Sequence, residues 1–169
     1  MLLEIDQVVF NIHLMARKIT YLRDGRAPIP KNEAVSRVMR SNKGKNTQLE
    51  LKFRKALRKA GLKEYKIHVK NLPGRPDVVF VKSKLAIFID GCFWHGCSKC
   101  FVTPKSNRSF WLKKIQKNKL RDQKVSRQLR YKGWRVLRLK EHRLRGDISI
   151  IASNIFRCKV ELLLNEEIG

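Results

Sequence analysis

The sequence predicts an α/β domain, a mixed central sheet flanked by helices, and three patterns carry that expectation. Residues 78–81 (Val-Val-Phe-Val) and 85–90 (Leu-Ala-Ile-Phe-Ile-Asp) are short apolar runs separated by Lys82-Ser83-Lys84, as in a buried hairpin. Residues 107–131 keep Trp111, Ile115, Asn118, Asp122, Val125 and Leu129 on one helical stripe. Residues 134–139 (Trp-Arg-Val-Leu-Arg-Leu) alternate as a half-buried strand does.

Taken in order, residues 1–35 read as a leader of unassigned role and residues 36–169 as a single domain. Within the leader, residues 14–22 are expected to be helical, and Asp24-Gly25-Arg26-Ala27-Pro28-Ile29-Pro30 breaks whatever precedes it. Residues 39–46, basic and rich in small side chains, read as an arm or loop. Thr47-Gln48-Leu49-Glu50 is a capping box, with Glu50 able to reach back to the Thr47 amide. Leu49, Phe53, Ala56, Leu57 and Ala60 then recur at helical spacing until Gly61. Residues 65–69 are expected as a strand. Leu72-Pro73-Gly74-Arg75-Pro76-Asp77 turns into the hairpin, whose antiparallel pairing would bring Asp77 and Asp90 to one edge. Gly133 closes the long helix, and residues 147–164 form a last one with Ile151, Ile155, Cys158 and Leu162 on one face. Cys158 therefore reads as core.

A chain of 169 residues can bury one real core. Its 39 Lys and Arg stand against 14 Asp and Glu, a formal charge of +25. Such self-repulsion is relieved by a polyanion through ion pairing and counterion release, so nucleic acid is the leading partner. No apolar run approaches the ~20 residues that span a bilayer, so no membrane partner is expected. Glu4 and Asp6 stand where a signal peptide would carry positive charge, and no secretion signal is read. With three of the four cysteines clustered, a reducing compartment fits better than a disulfide scaffold.

That cluster is Cys92-Phe93-Trp94-His95-Gly96-Cys97-Ser98-Lys99-Cys100. Thiols at this spacing can converge on one structural Zn²⁺. The fourth ligand is His95 or His142; steric economy favours His142, because His95 lies inside the loop that must already wrap the ion. A free His95 would suit general acid or base work. The adjacent Phe93 and Trp94 suit stacking or wedging against bases. Asp77 and Asp90, in a chain poor in acids, suggest Mg²⁺, although each also has a turn-forming explanation. Glu50 is accounted for by its capping box.

Pro73-Gly74-Arg75-Pro76-Asp77, Phe88-Ile89-Asp90-Gly91-Cys92-Phe93-Trp94-His95, Phe110-Trp111 with Lys114, Ile115 and Asn118, and Gly133-Trp134-Arg135-Val136-Leu137 together resemble the very-short-patch-repair (Vsr) DNA mismatch endonucleases. The resemblance runs from about residue 35 to residue 146. It implies a fold related to type II restriction enzymes and a single-strand nick 5′ to the thymine of a T:G mismatch, left when 5-methylcytosine deaminates. It further implies double-stranded DNA as substrate and functional links to a DNA cytosine-5 methyltransferase and a repair polymerase. A monomeric, cytoplasmic, nucleoid-associated bacterial protein would follow. Asp77 matches the Mg²⁺-binding aspartate, the backbone carbonyl of Ile89 a second metal ligand, His95 the catalytic histidine and Glu50 the acidic helix residue near the metal. Phe93, Trp94 and Trp111 match the aromatics that intercalate at the mismatch, and Met39 a residue entering from the minor groove. Cys92, Cys97, Cys100 and His142 fall at the structural zinc positions. Some members carry histidine where this chain has Asp90; a carboxylate there is expected to join the Mg²⁺ shell. Two rival readings are a restriction-like or structure-specific nuclease of the same fold, and a zinc-bearing nucleic-acid-binding protein without catalysis.

Overall fold

The computed structural model describes Pro28, Pro30, residues 32–41 and residues 44–167, with side chains through Lys159. The chain divides into two units at Lys43/Gly44. The expected helix over 14–22 lies outside the described residues, as does the side chain of Leu162.

In the first unit, residues 39–41 are helical rather than looped: helix α1 spans Glu33–Ser41 and includes Met39, which is half-buried. Its ends explain why so short and polar a segment folds this way. The Asn32 side chain accepts from the Val35 amide at 3.0 Å. Glu33 in the first turn and Arg40 in the last complement the helix dipole and pair with each other.

In the second unit, Thr47 starts α2 (Gln48–Lys59) as its capping box requires. Its hydroxyl accepts from the Glu50 amide at 3.3 Å and donates to the Glu50 carboxylate at 2.9 Å. Glu50 reaches one residue further back than expected, accepting from the Asn46 amide at 2.9 Å. The hairpin forms as strands β1 (Val78–Phe80) and β2 (Leu85–Asp90), antiparallel with Val78 opposite Ile87. Helix α3 (Arg108–Tyr131) then carries the chain across to β3 (Arg135–Lys140), which runs parallel to β2 with Asp90 opposite Lys140. The sheet order β1-β2-β3 is therefore mixed, as expected.

The central strand β2 is buried on both faces, which is why it reads as a continuous apolar run. Leu85 and Ile87 join Phe53, Leu57, Leu144 and Ile155 in one cluster, from α2, α4 (Glu141–Gly146) and α5 (Ile148–Glu167). Ala86 and Phe88 meet Leu129 and Val125 of α3 in the other. The expected strand over 65–69 reduces to one bridge, Lys66 to Val79, because His68 takes a positive φ that no ladder accepts. Cys158 is exposed, not core: α5 turns Ala152 and Ile155 inward instead.

Candidate functional site

Asp77 and Asp90 meet at one edge of the hairpin, as the antiparallel register requires, and line a cleft of about 420 Å³. Buried Asp90 and half-buried Asp77 and Asp122 line this cleft, together with exposed Lys45, Lys70, Arg75 and Arg121. The two carboxylates have different surroundings. Asp77 Oδ2 accepts from the Ile89 amide at 2.7 Å and makes no ion pair among the described residues. Burial pushes its carboxyl up to about 6; the Ile89 hydrogen bond opposes this, and the charges of Glu50 and Asp90 add to it. Glu50, itself buried, is held by Arg54 at 3.0 Å.

Asp90 is 1% exposed, and both its oxygens are engaged. Arg138 grips it as a fork, Nη2 to Oδ1 at 2.6 Å and Nε to Oδ2 at 3.0 Å, and Lys140 Nζ adds a bond to Oδ2 at 3.0 Å. Burial raises this carboxyl, but Arg138, His95 and Lys140 more than offset it and hold it below the usual carboxylate range. A cation bound to Asp90 would have to share or displace one of these partners.

His95 sits beside both. Its Nδ1 is hydrogen-bonded to Asp122 Oδ2 and lies 3.6 Å from Asp90 Oδ1, while Nε2 has no hydrogen-bond partner among the described residues. Asp122 is a functional candidate that the sequence reading placed on the α3 stripe without a role. The available signal was that α3 carries no other acid, and this one faces inward. A carboxylate on Nδ1 fixes the ring's tautomer and direction, leaving Nε2 to accept or deliver a proton. Asp122→Asn is expected to lower the single-turnover rate of a reaction that uses His95 as acid or base by about 10²-fold or more.

The thiol loop is built onto the end of β2. Cys97 N donates to Cys92 O at 2.9 Å, and Gly96 takes φ +53° where an added Cβ would lie 2.7 Å from Ile115 of α3. Asn118 of α3 donates to the Trp94 carbonyl at 2.8 Å, and Glu141 accepts from the Cys92 amide at 3.0 Å. Cys92, Cys97, Cys100 and His142 converge: His142 Nδ1 lies 3.3, 3.5 and 3.4 Å from the three sulfurs. Their ligand atoms all lie within 4.8 Å of one another, so the group could hold a metal ion. The Lys99 amide lowers the Cys97 thiol, while Cys92 and burial push Cys100 up to about 12. Three thiols so close cannot all ionise without a cation among them. His95 stays outside this group, as steric economy predicts.

Phe93, Trp94 and Trp111 come together edge to face, with ring centroids 5.2 to 5.9 Å apart, and all three are half-buried. Neither Phe93 nor Trp94 is fully buried, as expected of adjacent aromatics in a loop. Met39 lies in the other unit.

A family model described as DNA mismatch endonuclease Vsr matches residues 29–101. The chain is 40% identical over 122 residues to the type II nicking enzyme V.NaeI of Lentzea aerocolonigenes, covering 70% of this chain and 74% of that relative. It is 38% identical over 113 residues to DNA mismatch endonuclease Vsr of Escherichia coli, covering 66% and 71%. Over 108 residues it is 42% identical to V.NmeDIP of Neisseria meningitidis serogroup C, covering 63% and 72%. Among the described residues, no helix is long and apolar enough to cross a membrane.

Proposed function

The chain belongs to the Vsr family of DNA mismatch endonucleases, and from that premise we propose that it nicks DNA 5′ to the thymine of a T:G mismatch in a Mg²⁺-dependent reaction. The observation that carries the metal requirement is the asymmetry of the cleft acids. Glu50, Asp90 and Asp122 each have an internal cation, whereas Asp77 has none among the described residues. A half-buried carboxylate left without a counter-charge calls for one from outside. Asp77 and the Ile89 carbonyl would hold Mg²⁺, a hard cation suited to oxygen donors, which would supply positive charge against the phosphate.

The remaining work belongs to the chain's own residues. His95, steered by Asp122, presents Nε2 to a water or to the leaving oxygen. Glu50 fixes the Asn46–Thr47 turn beside Asp77 through three hydrogen bonds, two to its carboxylate and one from its amide to the Thr47 hydroxyl, and adds negative charge there. Phe93, Trp94 and Trp111 form a half-buried aromatic group beside the thiol loop, suited to entering a base stack already weakened by mispairing. Met39 would enter from the opposite groove.

The Cys/His group suits zinc specifically. Arms of ~2.3 Å to sulfur and ~2.0–2.1 Å to nitrogen in a tetrahedron give sulfur–nitrogen edges of ~3.5 Å, against the 3.3 to 3.5 Å found here. The mixed sheet with acids at the hairpin edge supports a fold related to type II restriction enzymes. A monomer working at the nucleoid after a cytosine-5 methyltransferase and ahead of a repair polymerase completes the reading.

The test is Mg²⁺-dependent nicking of end-labelled duplexes carrying one T:G mismatch in several flanking contexts, beside matched duplexes. A nick 5′ to the thymine in the mismatched strand alone is expected. Equal cutting of matched DNA would overturn mismatch specificity in favour of a restriction-like nuclease, and binding without cutting in any divalent metal would overturn catalysis.

A further inference from the structure

We propose that Arg138 is a phosphate-binding residue of the cleft, presented to the DNA by Asp90, which acts as its positioning residue. This goes beyond the metal and histidine chemistry, and rests on the placement of the scissile phosphate at Asp77.

Two nitrogens and one face of the guanidinium are accounted for. Nε and Nη2 are locked to Asp90, Nη2 also lies 3.1 Å from Asp122, and the group stacks over the Phe88 ring at 4.7 Å. Nη1 makes no hydrogen bond among the described residues, yet Arg138 lines the same cleft as Asp77 and His95. Two carboxylates and an aromatic face thus hold the planar fork still and leave one pair of N–H donors for the cleft. Preorganised donors aimed at a charged oxygen lose little freedom on binding, and a guanidinium is the side chain best matched to phosphate.

Asp90 then has a use that needs no metal. The family resemblance places histidine at this position in some members, and a histidine could not hold a guanidinium by its Nε and Nη2 edge. Here the carboxylate of β2 faces Lys140, opposite it in register on the parallel β3, and Arg138 two residues earlier. A merely structural ion pair would not need an arginine that lines the cleft with its Nη1 unbonded among the described residues.

The experiment is a double-mutant cycle read as binding, in an Asp77→Asn background so that DNA stays intact. Affinity is measured for a T:G duplex with a native phosphate at the mapped nick site, and for the same duplex with an uncharged methylphosphonate there. Arg138→Met is expected to weaken binding of the native duplex about tenfold and of the methylphosphonate duplex much less. Arg138→Lys, which keeps charge but loses the fork, is expected to fall between, and covers the case in which the methionine variant does not fold. Equal losses on both duplexes, or coupling only at phosphates away from the nick, would overturn the proposal. If Mg²⁺-dependent cleavage occurs without T:G preference, the mismatch reading fails alone, and the same cycle at the phosphate actually cut still decides Arg138.

Discussion

Asp77→Asn is expected to abolish nicking and, in the metal-free protein at neutral pH, to raise the melting temperature. The first effect follows from removing the cleft carboxylate that, among the described residues, has no internal cation. Charge stabilisation of several kcal/mol is at stake, so the rate should fall by at least about 10³-fold. The second follows from burial. Asp77's carboxyl is pushed from 3.8 up to about 6 chiefly by desolvation, so its charged form is disfavoured in the folded state. A group whose folded pKa is raised stabilises the fold below its unfolded pKa, and that stability is lost as pH rises through the folded value. At pH 7.5 the full penalty is present, on the order of 3 kcal/mol. Asparagine keeps an oxygen for the Ile89 amide and carries no charge. Its melting temperature should exceed the native one by roughly 10 °C at pH 7.5, and the gap should narrow as pH falls through about 6 and close below 3.8, where Asp77 is protonated in both the folded and the unfolded state. Mg²⁺ should raise the native melting temperature and leave the variant's unchanged. A variant no more stable at pH 7.5 would mean the carboxylate is already compensated, and that the cation belongs elsewhere.

What the sequence made legible was whatever local chemistry decides. The capping box placed α2 within one residue, and the apolar runs placed the hairpin and so the edge that Asp77 and Asp90 share. Thiol spacing and the crowding of His95 pointed to His142. What stayed hidden depends on which elements become neighbours. The parallel register of β2 and β3 sets Arg138 and Lys140 against Asp90, across 48 and 50 residues of sequence. Nothing local marks Asp90 as already paired with Arg138 and Lys140, partners that a cation held by Asp90, His95 and Asp122 would have to share or displace. Asp122 reaches His95 only because α3 packs across the thiol loop, with Ile115 against Gly96. Helix α1 was missed for a different reason: its capping Asn32 and its Glu33–Arg40 pair are polar signals in a segment with few apolar positions.

Removing zinc should be as damaging to nicking as removing Asp77, and for a purely structural reason. Cys92 lies two residues beyond Asp90 at the end of β2, and His142 lies two beyond Lys140 at the end of β3. One ion would therefore clamp the ends of the two parallel strands, with His95 and the Phe93–Trp94 pair carried on the loop between its thiolates. Without it, neutral thiols and an imidazole have only weak contacts to hold that loop. Structural zinc sites in zinc-finger peptides supply on the order of 10 kcal/mol; even a fraction of that lost here would lower the melting temperature by roughly 10 °C or more. Cys97→Ser is expected to reproduce the loss, together with a red shift in tryptophan emission as Trp94 and Trp111 separate. Cys158→Ser, at an exposed thiol outside the group, should behave as the native protein. Chelation strips both metals, so the two roles separate by add-back: Mg²⁺ alone should leave the protein inactive and its tryptophans exposed, whereas Zn²⁺ should restore the emission, and Mg²⁺ added after it should restore nicking. Full recovery with Mg²⁺ alone would show that hydrogen bonds such as Asn118 to the Trp94 carbonyl hold the loop unaided, and that the thiols are not its clamp.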